Sequence, residues 1–344
     1  INLFFEDNRL GQVISEFDKG SNKEFIFQAY PEKKGVLVGS IKLPLDDYIN
    51  DNKWYVTAPI LDKINCLIIG NSEDELSMFK LIIDAIDPNK QLINLESRKQ
   101  PIVNRLFVED VDILIIHNPE AFTEAAFDEL DIFLQRGGGL IWFSGGMEMD
   151  PSYNKYFSSL SFPRAKTIIG SGTGIFSLEF PDSDNQILSD LNIRKLGNEL
   201  PEYYRYVRHN YANKHKVHMQ LTNGDPILLE FSRGTGSIFY FTSLMNLAWN
   251  NMPIRGLLVP LMYRLLVLGG TDEENTSPVV IGKTKWINLD QNEVRDQWEV
   301  LSPSGEKSLL VPNFSKESIQ VNSTDELGVY EIYQNGKHYT SFST

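Results

Sequence analysis

The residues that could do chemistry lie at the ends of apolar runs. Ser144 follows Leu140-Ile141-Trp142-Phe143 and precedes Gly145-Gly146. A serine at the carboxyl end of a buried strand can attack an acyl carbon if an imidazole or carboxylate takes its proton. The familiar version sits on a Gly-x-Ser-x-Gly elbow that leads straight into a helix. Here two glycines and Met147-Glu148-Met149-Asp150 follow instead. His117 closes the run Val111 to Ile116 and is expected at the same sheet edge, as a base or a polar ligand contact. Asn71, behind the run Cys66 to Gly70, and Asn118, behind His117, would share that edge. Asn71, His117, Asn118, Ser144, Gly145 and Gly146 thus form a candidate ligand cleft, and the sequence assigns none of them a catalytic role.

Other groups carry weaker patterns. Cys66 lies inside an apolar run and not at a helix start beside a cation, so it reads as core and not as a nucleophile. As the single cysteine it has no partner for a disulfide within the chain. His215 and His218 are three apart, with His209 upstream, a spacing that on a helix suits a metal. Lys216 to Thr222 reads as a strand, however, and there a spacing of three sends side chains to opposite faces. Asp46, Asp47, Asp51 and Asn52 depart from the Asp-x-Asp-x-Asp-Gly calcium loop and read as a solvated turn. Gly170, Gly172 and Gly174 lack the lysine and the helix of a phosphate loop. Trp54, Trp142, Trp249, Tyr203, Tyr204 and Tyr206 could stack on a sugar, although such residues more often build cores. No metal or cofactor is expected.

These residues need elements to hold them. From Ile1 to about Pro59 short β runs alternate with turn chemistry, at Leu10 to Phe17, Glu24 to Tyr30 and Val36 to Leu43. After Pro59 the pattern becomes β then α. Cys66 to Gly70 precedes a helix over Glu73 to Ile86 with Leu76, Phe79, Ile82, Ile83 and Ile86 on one face, and Val111 to Ile116 precedes one from about Thr123 to Arg136, ended by Gly137. Leu140 to Phe143 is then the next parallel strand of a doubly wound sheet. Further strands are expected at Gly174 to Phe180, Lys216 to Thr222, Pro226 to Phe231 and Gly236 to Thr242, the Asn223-Gly224 turn making this side antiparallel. Pro253 to Leu268 reads as a buried helix. Past the polar stretch Thr271 to Pro278 the β pattern returns, at Val279 to Ile281, Trp298 to Leu301, Ser308 to Val311, Ser318 to Val321 and Gly328 to Tyr333. The expected domains are a partial Ig-like β-sandwich over 1–59, an α/β domain over 60–270, and a second β-sandwich over 278–344.

Composition limits the partners. A formal charge of −14, with 46 acidic against 32 basic residues, repels a phosphate backbone, so nucleic acid is not expected. No run approaches the roughly 18 apolar residues of a membrane-spanning helix. The opening Ile1-Asn2-Leu3-Phe4-Phe5 starts mid-strand, which reads as an excised piece of a longer protein.

Several phrases, in this order, carry a resemblance. They are Leu45-Asp46-Asp47-Tyr48-Ile49-Asn50-Asp51-Asn52-Lys53-Trp54-Tyr55, Gly137 to Gly145, Gly234-Thr235-Gly236-Ser237-Ile238-Phe239-Tyr240-Phe241-Thr242-Ser243, Trp249-Asn250-Asn251-Met252-Pro253, and Val259-Pro260-Leu261-Met262-Tyr263-Arg264. Together the chain resembles the BatA-type (aerotolerance-operon-like) membrane proteins of Bacteroidetes-like bacteria, in the part beyond their N-terminal membrane segments. The resemblance implies a flavodoxin-like, Rossmann-like three-layer α/β/α domain of the class I glutamine-amidotransferase kind, flanked by β-sandwiches and held outside the cytoplasm by a membrane anchor in other segments. An active amidotransferase needs an elbow cysteine near Gly145 and a His-x-Glu pair after a late strand. This chain has Ser144-Gly145-Gly146 and Thr242-Ser243-Leu244-Met245-Asn246 there. The first expectation is a non-catalytic periplasmic interaction or assembly region with protein partners in the cell envelope. The alternatives are a hydrolase or amidase-like enzyme using Ser144 or His117, and a carbohydrate- or small-ligand-binding module.

Overall fold

The computed structural model describes residues 1–5, 8–16, 20–25, 27, 35–44, 46, 51–60, 63–99, 108, 110–119, 122–170, 174–180, 187–188, 191, 200–212, 214–270, 273–289, 293–314 and 318–344. The expected strand at Glu24 to Tyr30, Asp47 and Gly172 lie wholly or partly outside these residues. The fold is mixed α/β with several sheets, and the chain forms two compact units, Ile1–Asp62 with Asp272–Thr344, and Lys63–Thr271.

The first unit opens with β1 (Asn2–Phe5), β2 (Asn8–Gln12), β3 (Gly35–Lys42) and β4 (Lys53–Ile60), an antiparallel sheet in the order β2-β1-β3-β4. The strand expected over Leu10 to Phe17 is β2, which begins earlier, at Asn8, and ends at Gln12; Phe17 lies outside the described residues.

The second unit is built on one nine-stranded sheet. Its strands are β5 (Ile64–Gly70), β6 (Ile93–Lys99), β7 (Ile113–His117), β8 (Gly139–Phe143), β10 (Phe176–Glu179), β11 (Glu202–Tyr203), β13 (Lys216–Leu221), β14 (Pro226–Arg233) and β15 (Gly236–Phe241), while β9 (Arg164–Ile169) pairs separately with β12 (Tyr206–Asn210). The order is β11-β10-β13-β14-β15-β8-β7-β5-β6. β6, β5, β7, β8 and β15 run parallel, and β14, β13, β10 and β11 continue antiparallel. β5, β7 and β8 are runs buried on both faces, which is why they read as unbroken apolar segments.

Helices cover both faces. α1 (Glu73–Ile86) starts at Ser72, whose Oγ accepts the Glu75 N–H at 3.2 Å, and three acidic residues in its first turn suit the helix dipole. α2 (Glu124–Gln135) is capped by Thr123 and stopped at Gly137, which adopts φ +99°. α2 and α3 (Asn154–Ser159) pack with Trp142, Leu140, Ile238 and Tyr240 on one sheet face. On the other face lie α1 and α4 (Leu258–Gly270), where an added Cβ at Gly139 would meet the Gly269 carbonyl oxygen at 2.2 Å. The helix expected from Pro253 begins later, since Met252–Ile254 form a separate 3-10 turn.

The chain then returns to the first unit with the short α5 (Glu273–Thr276) and β16 (Lys285–Asn288), β17 (Trp298–Leu301), β18 (Lys307–Leu310), β19 (Ser318–Val321), β20 (Val329–Gln334) and β21 (Lys337–Ser343). β16 pairs with β19, and the other four form a sheet in the order β18-β17-β20-β21. Asn335 and Gly336, at φ 50° and 78°, make the hairpin turn that their sequence indicates. Val279 to Ile281, expected as a strand, is not one; Val279 contributes a single backbone bond to Ser343 at 2.9 Å. The N- and C-terminal segments of this unit are joined by Thr57, whose Oγ1 donates to the Thr276 carbonyl at 2.9 Å.

Candidate functional site

Because β5, β7, β8 and β15 are parallel neighbours, their carboxyl ends bring Asn71, His117, Asn118, Ser144 and Gly145 to one edge. The residues bond to one another there. The Asn71 amide donates to the Asn118 carbonyl oxygen, and the Asn118 N–H donates to the Phe143 carbonyl at 3.1 Å. Gly145 is tight against Asn118, with Oδ1 2.0 Å from where a Cβ would stand. Gly146, at φ +104°, turns the chain into a 3-10 segment over Met147–Met149.

His117 is held from both sides. Its Nε2 accepts the Met245 N–H at 3.0 Å, so the ring hydrogen is on Nδ1, which faces Glu75 Oε1 at 3.4 Å. That spacing leaves Nδ1 without a well-formed hydrogen bond. Phe79 and Phe143 enclose the ring, with centroids 5.4 and 5.6 Å away. Burial would raise the Glu75 carboxyl, but the His117 ring and the N–H groups of Asn71 and Ser72 overcome it and hold the group below its usual range.

Ser144 turns the other way, into a buried polar cluster. Its Oγ donates to Glu148 Oε2 at 2.8 Å, while Trp142 Nε1 donates to Glu148 Oε1 at 2.5 Å. Ser144 is 0% exposed and Glu148 4%. Burial pushes the Glu148 carboxyl above its usual range against the hydrogen bonds it receives, and no cation stands among the groups acting on it. Tyr240 reaches the same carboxyl and, at 2.8 Å, His209 Nε2. His209 Nδ1 lies 2.7 Å from the Val207 carbonyl, which only accepts, so Nδ1 carries the hydrogen and Tyr240 donates to Nε2. Burial lowers the His209 ring to about 4.

A partly open cleft of about 240 Å³ reaches this cluster. Glu148 lines it together with Asn154, Phe157, Ser158, Phe162, Pro163, Arg164 and Ala165. Asn71, His117 and Asn118 are not among its lining residues, so the sequence-derived group divides between a self-bonded edge and a serine beside a cleft acid.

The other candidates resolve separately. Cys66 is buried, and burial with the nearby Asp112 carboxylate pushes its thiol up to about 12. The histidines go to separate partners: His215 accepts the Ala212 N–H and donates to the Ser161 carbonyl, and His218 meets Glu230 Oε2 at 2.6 Å. Among the described residues no group of three His, Cys, Asp or Glu side chains could hold a metal. Trp142, Tyr203 and Tyr206 are core, Trp54 is exposed, and Trp249 lies under the Arg205 guanidinium at 4.9 Å. Sequence reasoning missed Glu148, Tyr240 and His209 as one cluster. The signal for Glu148 was faint: an acid four residues after Ser144, just beyond a pair of glycines.

No protein family and no curated protein matches this sequence. Among solved structures the chain is similar to a cytoplasmic protein of Salmonella typhimurium LT2, with 13% identity over 60% of this chain and 100% of that one, at a TM-score of 0.49. It is also similar to a ThuA-like protein of Parabacteroides merdae, with 12% identity over 61% and 90% of the two chains and a TM-score of 0.42. A β-galactosidase of Bacillus circulans matches 76% of this chain and 40% of its own, at 11% identity and a TM-score of 0.41. Likeness at this level carries no functional argument. No helix of the described residues is long and apolar enough to cross a membrane.

Proposed function

We propose that this chain is a non-catalytic, extracytoplasmic interaction and assembly region of a membrane-anchored bacterial envelope protein of the BatA type, its α/β unit a flavodoxin-like, class I glutamine-amidotransferase-like domain. The observation that carries the reading is His117, which is 1% exposed and spends its Nε2 on the Met245 N–H. A general base needs that lone pair for its substrate's proton. The neighbouring amides are likewise bonded across the edge. The resemblance of several phrases to BatA-type proteins is what supports an envelope location and a membrane anchor in this reading.

The test combines two measurements. Site-specific crosslinking of the protein in native envelopes is expected to give discrete protein adducts, and the purified chain is expected to leave a panel of amides and esters unchanged. Turnover with no adduct would replace this reading.

The 2.8 Å bond from Ser144 to the Glu148 carboxyl favours a second reading, an amidase-like enzyme with a carboxylate as base. Turnover that disappears in Ser144→Ala would establish it.

A further inference from the structure

We propose that Glu148 is a proton-operated latch: as a neutral carboxylic acid it pins the 3-10 turn Met147–Met149 to the sheet, and loss of its proton to solvent frees the turn to swing on Gly146 and widen the cleft that Glu148 lines. This goes beyond the assembly reading and holds or fails independently of it.

The protonation state follows from the direction of the hydrogen bonds. The Val207 carbonyl only accepts, so His209 Nδ1 carries the ring hydrogen and Nε2 accepts from Tyr240 at 2.8 Å. A phenol has one hydrogen, and this contact uses it. Toward Glu148 the Tyr240 oxygen therefore presents a lone pair. A carboxyl hydrogen completes that contact, whereas a carboxylate meets it lone pair to lone pair. Turning the phenol hydrogen to a carboxylate would strip the buried Nε2 of its donor, at the cost of an unmet polar atom. Trp142 and Ser144 serve the acid from the other side, one on each oxygen, at 2.5 and 2.8 Å. Burial acts in the same direction and raises the carboxyl above its usual range.

The turn has little else to hold it. Its backbone bonds are local, from the Met149 N–H to the Gly146 carbonyl at 3.0 Å and from the Asp150 N–H to the Met147 carbonyl at 3.1 Å, and among the described residues none ties it to a strand. Met147 adds an apolar contact with the core. Gly146, at φ +104°, supplies the pivot, a backbone state that glycine enters and leaves freely. Past the turn the chain is fixed again: Asp150 accepts the Ser152 N–H at 2.9 Å, and Tyr156 and Phe157 pack on Phe127 with centroids 4.7 and 5.2 Å away.

No neighbouring charge competes for the latch. Of the elements packed against the turn, β9 carries Arg164 and Lys166 and α3 carries Lys155, all exposed, as is Asp150 behind the turn. Tyr153 and Tyr156 are half-buried, and Arg208 on β12 is paired with Asp225 at 2.6 Å. None of these is among the groups acting on the Glu148 carboxyl. His209, lowered to about 4, stays neutral across the range in which the carboxyl ionises, and His215 acts on His209 alone.

Amide hydrogen exchange of the purified chain between pH 5.5 and pH 8.5, corrected for the intrinsic rate at each pH, tests the latch. The amides of Met147 to Asp150 are expected to lose protection about tenfold relative to those of β8 across that range, and the Trp142 indole N–H resonance is expected to move with the same midpoint. Glu148→Gln keeps a donor for Tyr240 and an acceptor for Trp142 and cannot ionise, so its turn is expected to stay protected throughout. Wild-type protection that does not change with pH, or that changes in parallel with β8, would overturn the proposal, as would an equal loss in Glu148→Gln. The wild-type measurement decides by itself, whether or not the variant folds.

Discussion

The Tyr240 hydroxyl donates to His209 Nε2 at 2.8 Å, with both side chains buried and the rings edge to face at 5.1 Å. Burial disfavours the charged imidazole here, and the Val207 carbonyl offsets that only in part. The native state therefore resists a proton that the unfolded chain binds near 6.5, and the group's stability contribution is complete above that value and lost as pH falls toward about 4. The displacement corresponds to roughly 3 kcal/mol across the window. Thermal melts of the wild type are expected to fall steeply from pH 6.5 to pH 4, and His209→Gln is expected to flatten that fall. His215, also lowered by burial, leaves a residual slope.

Glu148 has the opposite sign. Its native carboxyl is raised above the ordinary 4.5, so its stability contribution is present below that value and declines as pH rises through the native one. Glu148→Gln cannot ionise and keeps an oxygen for Trp142. Its melting temperature relative to wild type is expected to increase between pH 5 and pH 8. A constant difference across that range would show that the carboxyl stays ionised throughout.

Cys66 lies in β5 with 2% exposure and a thiol pushed up to about 12. The thiolate is the reactive form, so a disulfide reagent is expected to label nothing in the native protein at pH 8. Full labelling is expected in denaturant, and the labelling rate should follow global unfolding.

Gly139 admits no larger residue. A methyl group there would overlap the Gly269 carbonyl, and both are backbone in rigid elements, β8 and α4. Gly139→Ala is expected to cost roughly 3 kcal/mol by chemical denaturation or to prevent accumulation of folded protein. Gly224→Ala is the contrasting control: it meets nothing within 4 Å and its cost is limited to its positive φ of 82°.

The sequence made the local features of the α/β unit legible. Ser72 and the acids behind it announced α1, Gly137 announced the end of α2, and the apolar runs announced β5, β7 and β8. The strand β6 was illegible, because at the sheet edge it alternates polar residues and buries only Ile93 fully. β9 and β12 were hidden for a related reason, as a two-stranded ribbon whose register slips at Arg208/His209. In the site, Asn71, Asn118 and His117 could be placed because parallel strands end together. The Glu148 cluster could not, since it joins residues 31 positions apart, His209 and Tyr240, through pairing that no local periodicity encodes.

The bond from Thr57 to the Thr276 carbonyl has a consequence for biosynthesis. Residues 63–271 leave the ribosome as one uninterrupted stretch and can collapse as soon as they emerge, but the other unit, built mainly of strands, draws on the segments before and after them. Its opening strands must wait for residues 272–344 to be made, with β4, which later meets α5 and β21, uncovered in the interval. Nascent chains stalled before residue 272 should therefore depend on a holdase for solubility, and emergence of residues 272–344 should end that dependence.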